Sequence, residues 1–148
     1  MTQVFGDFPD AELMATTILA AAKAANKLGG FTNCEIGTRI GDNADFTHGV
    51  IVVTRAGGLA AERIRIDRPR VQVDVWHADK QSARDLADVV RRRLFEAEGD
   101  MITTTGSVDV GFLSGVDSDT PLSWAFDPIS LKPRYMFSVR FTTHQADG

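Results

Sequence analysis

Residues 66–94 read IDRPRVQVDVWHADKQSARDLADVVRRRL, and the change of period inside them decides the fold. From Arg70 to Trp76 apolar and polar residues alternate. Val71, Val73 and Val75 point one way, and Gln72, Asp74 and Trp76 the other, the two-residue repeat of a strand. Past His77 the period lengthens. Ala83, Leu86, Ala87, Val90 and Leu94 fall at i, i+3, i+4, i+7 and i+11, a helix with one apolar stripe. Asp79 stands where a carboxylate can accept from first-turn amides, and Gly99 stops the element, so the predicted helix runs from about Lys80 to Ala97. Its other face holds Arg84, Asp85, Asp88, Arg92 and Glu96, with Asp88–Arg92 and Arg92–Glu96 spaced for ion pairs. Arg91, Arg92 and Arg93 close it where cations offset the helix dipole.

Upstream, a first helix is expected from about Pro9 to Leu28. Asp7 or Asp10 would cap it, Leu13, Thr17, Ala20, Ala21, Ala24 and Leu28 would form its stripe, and Gly29-Gly30 would end it. Residues 31–40 read as a weak strand, 41–48 as a polar loop and 49–55 as a strong strand broken by Ala56-Gly57-Gly58. Residues 63–67 alternate ahead of Arg68-Pro69. Downstream, 102–113 read as a Thr-rich strand around Val108, Val110 and Phe112, 114–121 as a turn or loop and 122–126 as a short strand. Residues 134–143 give the clearest alternation, with Tyr135, Phe137, Val139 and Phe141 on one face and Arg134, Ser138, Arg140 and Thr142 on the other. The order is helix, strands, helix, strands, with connections too short for repeated βαβ units. The expected fold is α+β: one domain over 1–148, with an antiparallel or mixed sheet and two main helices packed on one face.

Composition fits such a domain. Hydrophobic residues are 43% and charged residues 24% of 148, with mean hydropathy -0.09, which argues against disorder. The net charge of -4 argues against a dedicated nucleic-acid binder. The one cysteine, Cys34, excludes an intramolecular disulfide and a cysteine-based zinc site, and a reducing cytoplasm is the expected place of folding. The N-terminal stretch carries Asp7, Asp10 and Glu12 instead of a basic run, unlike a secretory leader. Its longest uncharged apolar run, Leu13 to Ala22, is far short of a membrane span.

Chemistry-bearing motifs are sparse. His77 and Asp79, with Asp74 near, could form half of a metal or catalytic site. Paired-histidine ligand spacing is lacking, and Asp79 is equally explained as a helix cap. His48 and His144 are the other histidines, and His144, near the end of the sequence, is expected to be exposed. No GxSxG, GxGxxG or GxxxxGK[ST] motif occurs. Cys34 lies in a strand-like stretch where a buried thiol is the commoner case. Asp117 and Asp119 sit where a turn would favour aspartate. Arg63, Arg65, Arg68 and Arg70 interleave with Glu62, Asp67 and Asp74, the pattern of solvated or subunit-facing ion pairs rather than a nucleic-acid face. The reading therefore expects no catalytic residue, no cofactor and no metal.

Aromatic residues outside the core pattern are the chief anomaly. Trp76 has the wrong parity for its strand, Phe46 lies in a polar loop, and Trp124 and Phe126 lie in a weakly patterned segment. Two explanations stand: an assembly interface, or loops that fold back over both sheet faces. Phe46, Arg68, Arg70, Trp76, Trp124 and Phe126 are the candidate subunit-contact residues.

The strand Arg68, Pro69, Val71, Gln72, Val73, Asp74 and Trp76, followed by a short break and then by Lys80 and Ala83, resembles tail terminator (tail completion) proteins of long-tailed bacteriophages. The acid-capped first helix and the closing strand that opens on Arg134-Tyr135 resemble that family too. The resemblance implies a virion structural protein of the tail neck, made in the host cytoplasm. It would assemble as a homo-oligomeric ring, commonly a hexamer, on the head-proximal end of the tail tube. Implied partners are other copies of itself, the tail tube protein and the head-to-tail connector (stopper) protein. Viral DNA would pass through the lumen without specific binding, and no membrane is involved. Six bodies of this length, each roughly 38 Å across, close around a hole of about one subunit's width, enough for a duplex. An acidic subunit also suits a conduit, since each Lys or Arg contact to phosphate would retard sliding. Another neck or tail-tube component is the alternative, and a small enzyme or ligand-binding domain using His77 and Asp79 a more remote one.

Overall fold

The computed structural model describes residues 10–41, 44–61, 66–104, 106, 109–126 and 131–144, except the side chains of 57–61 and 126. The elements run α1 (Ala11–Ala24), β1 (Glu35–Gly37), β2 (Val50–Ala61), β3 (Ile66–Trp76), α2 (Lys80–Glu96), β4 (Asp100–Thr103), β5 (Asp109–Phe126) and β6 (Pro133–His144). The strands form one sheet in the order β1-β2-β3-β6-β5-β4. Only β1–β2 is parallel, so the sheet is mixed. Both helices pack on the face formed by Ile51, Val53, Val71, Val73, Val75, Phe137, Val139 and Phe141. The α+β architecture is thus the expected one.

The α2 region obeys its sequence closely. Asp79 caps it, accepting from the Ser82 amide at 2.9 Å. Ala83, Leu86, Ala87, Val90 and Leu94 are buried as the stripe requires, and Val89 joins them. The Asp88–Arg92 pair forms at 3.3 Å. Glu96, however, pairs with Arg93 one turn back, not with Arg92.

The first helix departs from its expected form. It ends at Ala24, and its buried face is Ala11, Met14, Ala15, Ile18, Leu19 and Ala22, leaving Leu13 44% exposed. In a helix this rich in alanine, the few large side chains set the face, and Met14, Ile18 and Leu19 outweigh Leu13. Asp10 caps the start, accepting from the Glu12 and Leu13 amides. Asn26, at φ 57°, ends it before the glycines. The Lys27 amide reaches the Ala22 carbonyl at 2.8 Å and the Asn26 amide the Lys23 carbonyl at 3.1 Å, the paired bonds of a left-handed helix stop.

Two expected breaks are continuous strand. β2 runs through Ala56-Gly57-Gly58 with its register shifted between Arg55 and Gly58. β3 runs through Arg68-Pro69 and unites the alternating stretches on either side; its pairing with β6 holds at Asp67–Thr143 and resumes at Arg70–Arg140. Proline has no amide to give that ladder, which accounts for the gap at Pro69. The 31–40 strand shrinks to β1, and the Thr-rich strand divides into β4 and β5. β5 continues through the expected loop at 114–121.

Candidate functional site

The helix-free face of the sheet is where charged residues from β3, β5 and β6 converge. Its shape comes from β5, whose register against β6 shifts between Leu113 and Gly115, Ser118 and Thr120, and Thr120 and Ser123. The first shift returns Val116 to the core beside Phe141. The second places Asp119 and Thr120 together over Ser138, as a bulge does when two residues oppose one. The Ser138 hydroxyl donates to Asp119 Oδ2 at 2.8 Å. Its single proton is thereby used, so the Thr120 hydroxyl donates to Ser138 Oγ, also at 2.8 Å.

Asp119 gathers two arginines from neighbouring strands. Arg70 Nε lies 2.5 Å from Oδ2 and Arg140 Nη2 3.4 Å from Oδ1. The Ser138 hydrogen bond, then the two guanidinium groups, hold the Asp119 carboxyl below its usual range. Lower on the same face Asp74, 5% exposed, accepts from Arg134 Nε and Nη2 at 3.0 and 2.6 Å and from Gln72 at 3.1 Å. The Arg134 guanidinium also lies 5.3 Å from the Trp76 ring centroid. Arg70, Arg134 and Arg140 therefore each meet an intramolecular carboxylate, and Asp117 stands opposite Arg140 in the register.

The candidate contact residues separate on this frame. Arg70 belongs to the Asp119 cluster, and Arg68 is exposed on β3. Trp76 is 5% exposed, which corrects its reading as an exposed aromatic. Ala44 and Phe46 pack with Val50, Val52 and Trp76 in a second apolar cluster, so the described end of the loop, 44–48, folds back over it. Trp124 lies on the helix side, 41% exposed, with Lys80 Nζ 4.8 Å from its ring. The Phe126 side chain, like Arg63 and Arg65, is outside the described residues. Met101 and Phe112, paired across β4 and β5, are 52% and 37% exposed. Phe112 does not share the core-facing side of its strand, where Gly111 and Leu113 take the inward positions instead.

His77, Asp79 and Asp74 do not converge. The Asp79 carboxylate is turned to Ser82, His77 Nδ1 accepts from the Asp79 backbone amide, and Asp74 is engaged by Arg134. Among the described residues no cluster of three His, Cys, Asp or Glu side chains could hold a metal ion. Cys34 is fully buried, and burial pushes its thiol pKa up. A cleft of about 580 Å³ lies elsewhere, between α1, the end of α2 and β4, with Ile18, Ala22, Arg93, Glu96 and Met101 in its walls. Among the described residues no helix is long and apolar enough to cross a membrane. No protein-family model and no curated protein sequence matches the chain.

Proposed function

We propose that this chain is a tail terminator: a ring-forming structural subunit that stops polymerisation of a phage tail tube and offers its upper surface to the head connector. The observation that carries the reading is the helix-free sheet face. Where β3, β5 and β6 meet it is polar, it is built on three long strands, and Arg70, Arg134 and Arg140 are held there by the chain's own carboxylates, Arg68 being the exposed exception. Such a wall keeps water at its surface and has little cation to spare for phosphate, which is what a passing duplex requires. The sequence resemblance in 66–94 supplies the family, and the acidic balance of the chain agrees with it. The subunit's partners are then copies of itself, the tube protein and the connector, with DNA as cargo rather than ligand.

The test is light scattering of the purified chain alone and with isolated tail tubes, and then averaged images of the particle's neck. One ring per particle at the head-proximal end is expected. Many stacked rings would identify a tube subunit instead. A monomer that leaves tubes uncapped overturns the proposal.

A further inference from the structure

The sheet ends on two strands that are only partly covered. Among the described residues β1 pairs with β2 at Val50–Val52, and β4 pairs with β5 at Asp109–Leu113. The outer edges of 54–61 and of 117–123 carry no described strand. At the near end of each uncovered stretch a glutamate occupies an outward backbone amide. Glu12 Oε2, from α1, accepts from the Arg55 amide at 2.8 Å, and Glu98 Oε1, just past α2, accepts from the Val116 amide at 2.9 Å. Placing a charged side chain on an edge amide is a way of keeping a strand from pairing at random.

The two edges also match in direction. β2 is antiparallel to β3, β3 to β6 and β6 to β5, so β2 and β5 run in opposite senses at opposite margins of one sheet. A second copy in the same orientation would set its β2 antiparallel to this chain's β5. That is a heterologous contact, the kind that closes rings. The register Thr120–Ser138–Gln72–Thr54 puts Thr120 level with Thr54. From there the uncovered part of β2 extends only toward the Ile66 end of the sheet, whereas that of β5 reaches both ways, from the level of Arg70 to that of Asp74. Docking the two staggers neighbouring copies along the strands, as a closed sheet of tilted strands demands. Pro121 removes one donor from the β5 edge, a place where proline is tolerated.

Building on the ring reading, we propose that the outer edges of β2 and β5 are the two halves of a self-association surface, guarded in the free subunit by Glu12 and Glu98, whose carboxylates an incoming strand of a second copy displaces.

The test combines cross-linking with assembly measurements on the full chain. A variant carrying both Thr54→Cys and Ser123→Cys is treated with a short bismaleimide under assembly conditions; buried Cys34 stays silent. The expected product is a ladder up to the closed oligomer, with each single-cysteine variant stopping at dimers. Glu12→Ala and Glu98→Ala should each lower the half-assembly concentration about three- to tenfold, the net worth of one solvent-accessible hydrogen bond. Glu12→Gln and Glu98→Gln, which keep an acceptor, should fall between. An oligomer that forms by light scattering but gives no ladder overturns the edge inference and leaves the ring standing. A ladder with unchanged assembly in both alanine variants overturns the guard role. Absence of any oligomer, with or without tubes, overturns inference and ring together.

Discussion

Gly49→Ala is the sharpest single perturbation of this fold. Gly49 has φ +95° and joins the 41–48 loop to β2, and a Cβ built there meets Leu86 Cδ2 at 2.6 Å. Two costs add. A left-handed backbone on a residue with a Cβ costs about 1–2 kcal/mol. Leu86 is fully buried in α2, so the overlap cannot be relieved into solvent, and overpacking of this kind costs about 1–3 kcal/mol. The sum, about 2–5 kcal/mol, corresponds to a melting temperature lower by roughly 5–15 °C at this chain length. Urea unfolding monitored by circular dichroism measures it. The Leu86→Ala change costs about 2–5 kcal/mol alone through its cavity. In the double variant that cavity admits the new methyl group, so the pair should cost about 1–3 kcal/mol less than the sum of the singles. Trp76 gives a second readout. Phe46 packs beside it in the loop that Gly49 ends, so its emission should shift to the red if the loop lifts. A variant within about 0.5 kcal/mol of wild type, or strict additivity with Leu86→Ala, would refute the reasoning.

The charged groups give three further expected outcomes. Asp67 is 1% exposed and takes two hydrogen bonds from Arg55, at 3.1 and 3.3 Å. Arg55→Met should cost about 2–3 kcal/mol, less than a fully buried pair because the arginine is about a third exposed, while Asp67→Asn should cost about 1 kcal/mol; the opposite ranking in urea denaturation would count against it. For pH, burial lowers the His77 pKa from 6.5, so the unfolded chain takes up that proton first. Stability should fall as pH drops through 6.5 toward the depressed folded value, a step absent in His77→Gln. A separate loss should come below pH 3.8, as the Asp45, Asp79 and Asp119 carboxyls, lowered chiefly by their hydrogen bonds, are protonated. Lastly, Asp119→Asn releases Arg70 and Arg140. Duplex DNA retention should rise and its salt dependence steepen by up to about two phosphate contacts, while unchanged retention would argue against a neutralised wall.

The sequence is most legible where one periodicity acts alone. The α2 stripe and the alternations of β3 and β6 come from burial of one face each, and Asp79 as cap needs only local backbone geometry. The α1 face differs from its expected stripe because alanines carry too little area to mark a side. The loop expected over 114–121 is the largest departure. Gly115, Asp117, Asp119 and Pro121 are turn-forming residues by composition, but bulges absorb them into a continuous strand, and a bulge leaves no period to detect. The Asp119 cluster is invisible in the sequence for the same reason, since its members come from three strands and meet only through pairing. Trp76 shows the reverse problem. Its parity is plain from the alternation, but the polar composition of 41–48 gives no sign that this loop covers it.

The three offsets in β5 bear on how this chain can change length. Each restarts the inward–outward count, so the strand behaves as short segments joined by adjustable splices. Loss of one residue at the Ser118–Thr120 offset would close that bulge, leaving Leu113 and Val116 seated under α2 and Ser123 and Trp124 opposite Met136 and Tyr135, in their present orientations. Relatives of such a protein could therefore differ by single-residue insertions in the middle of a long structural strand, a place where most sheets tolerate none.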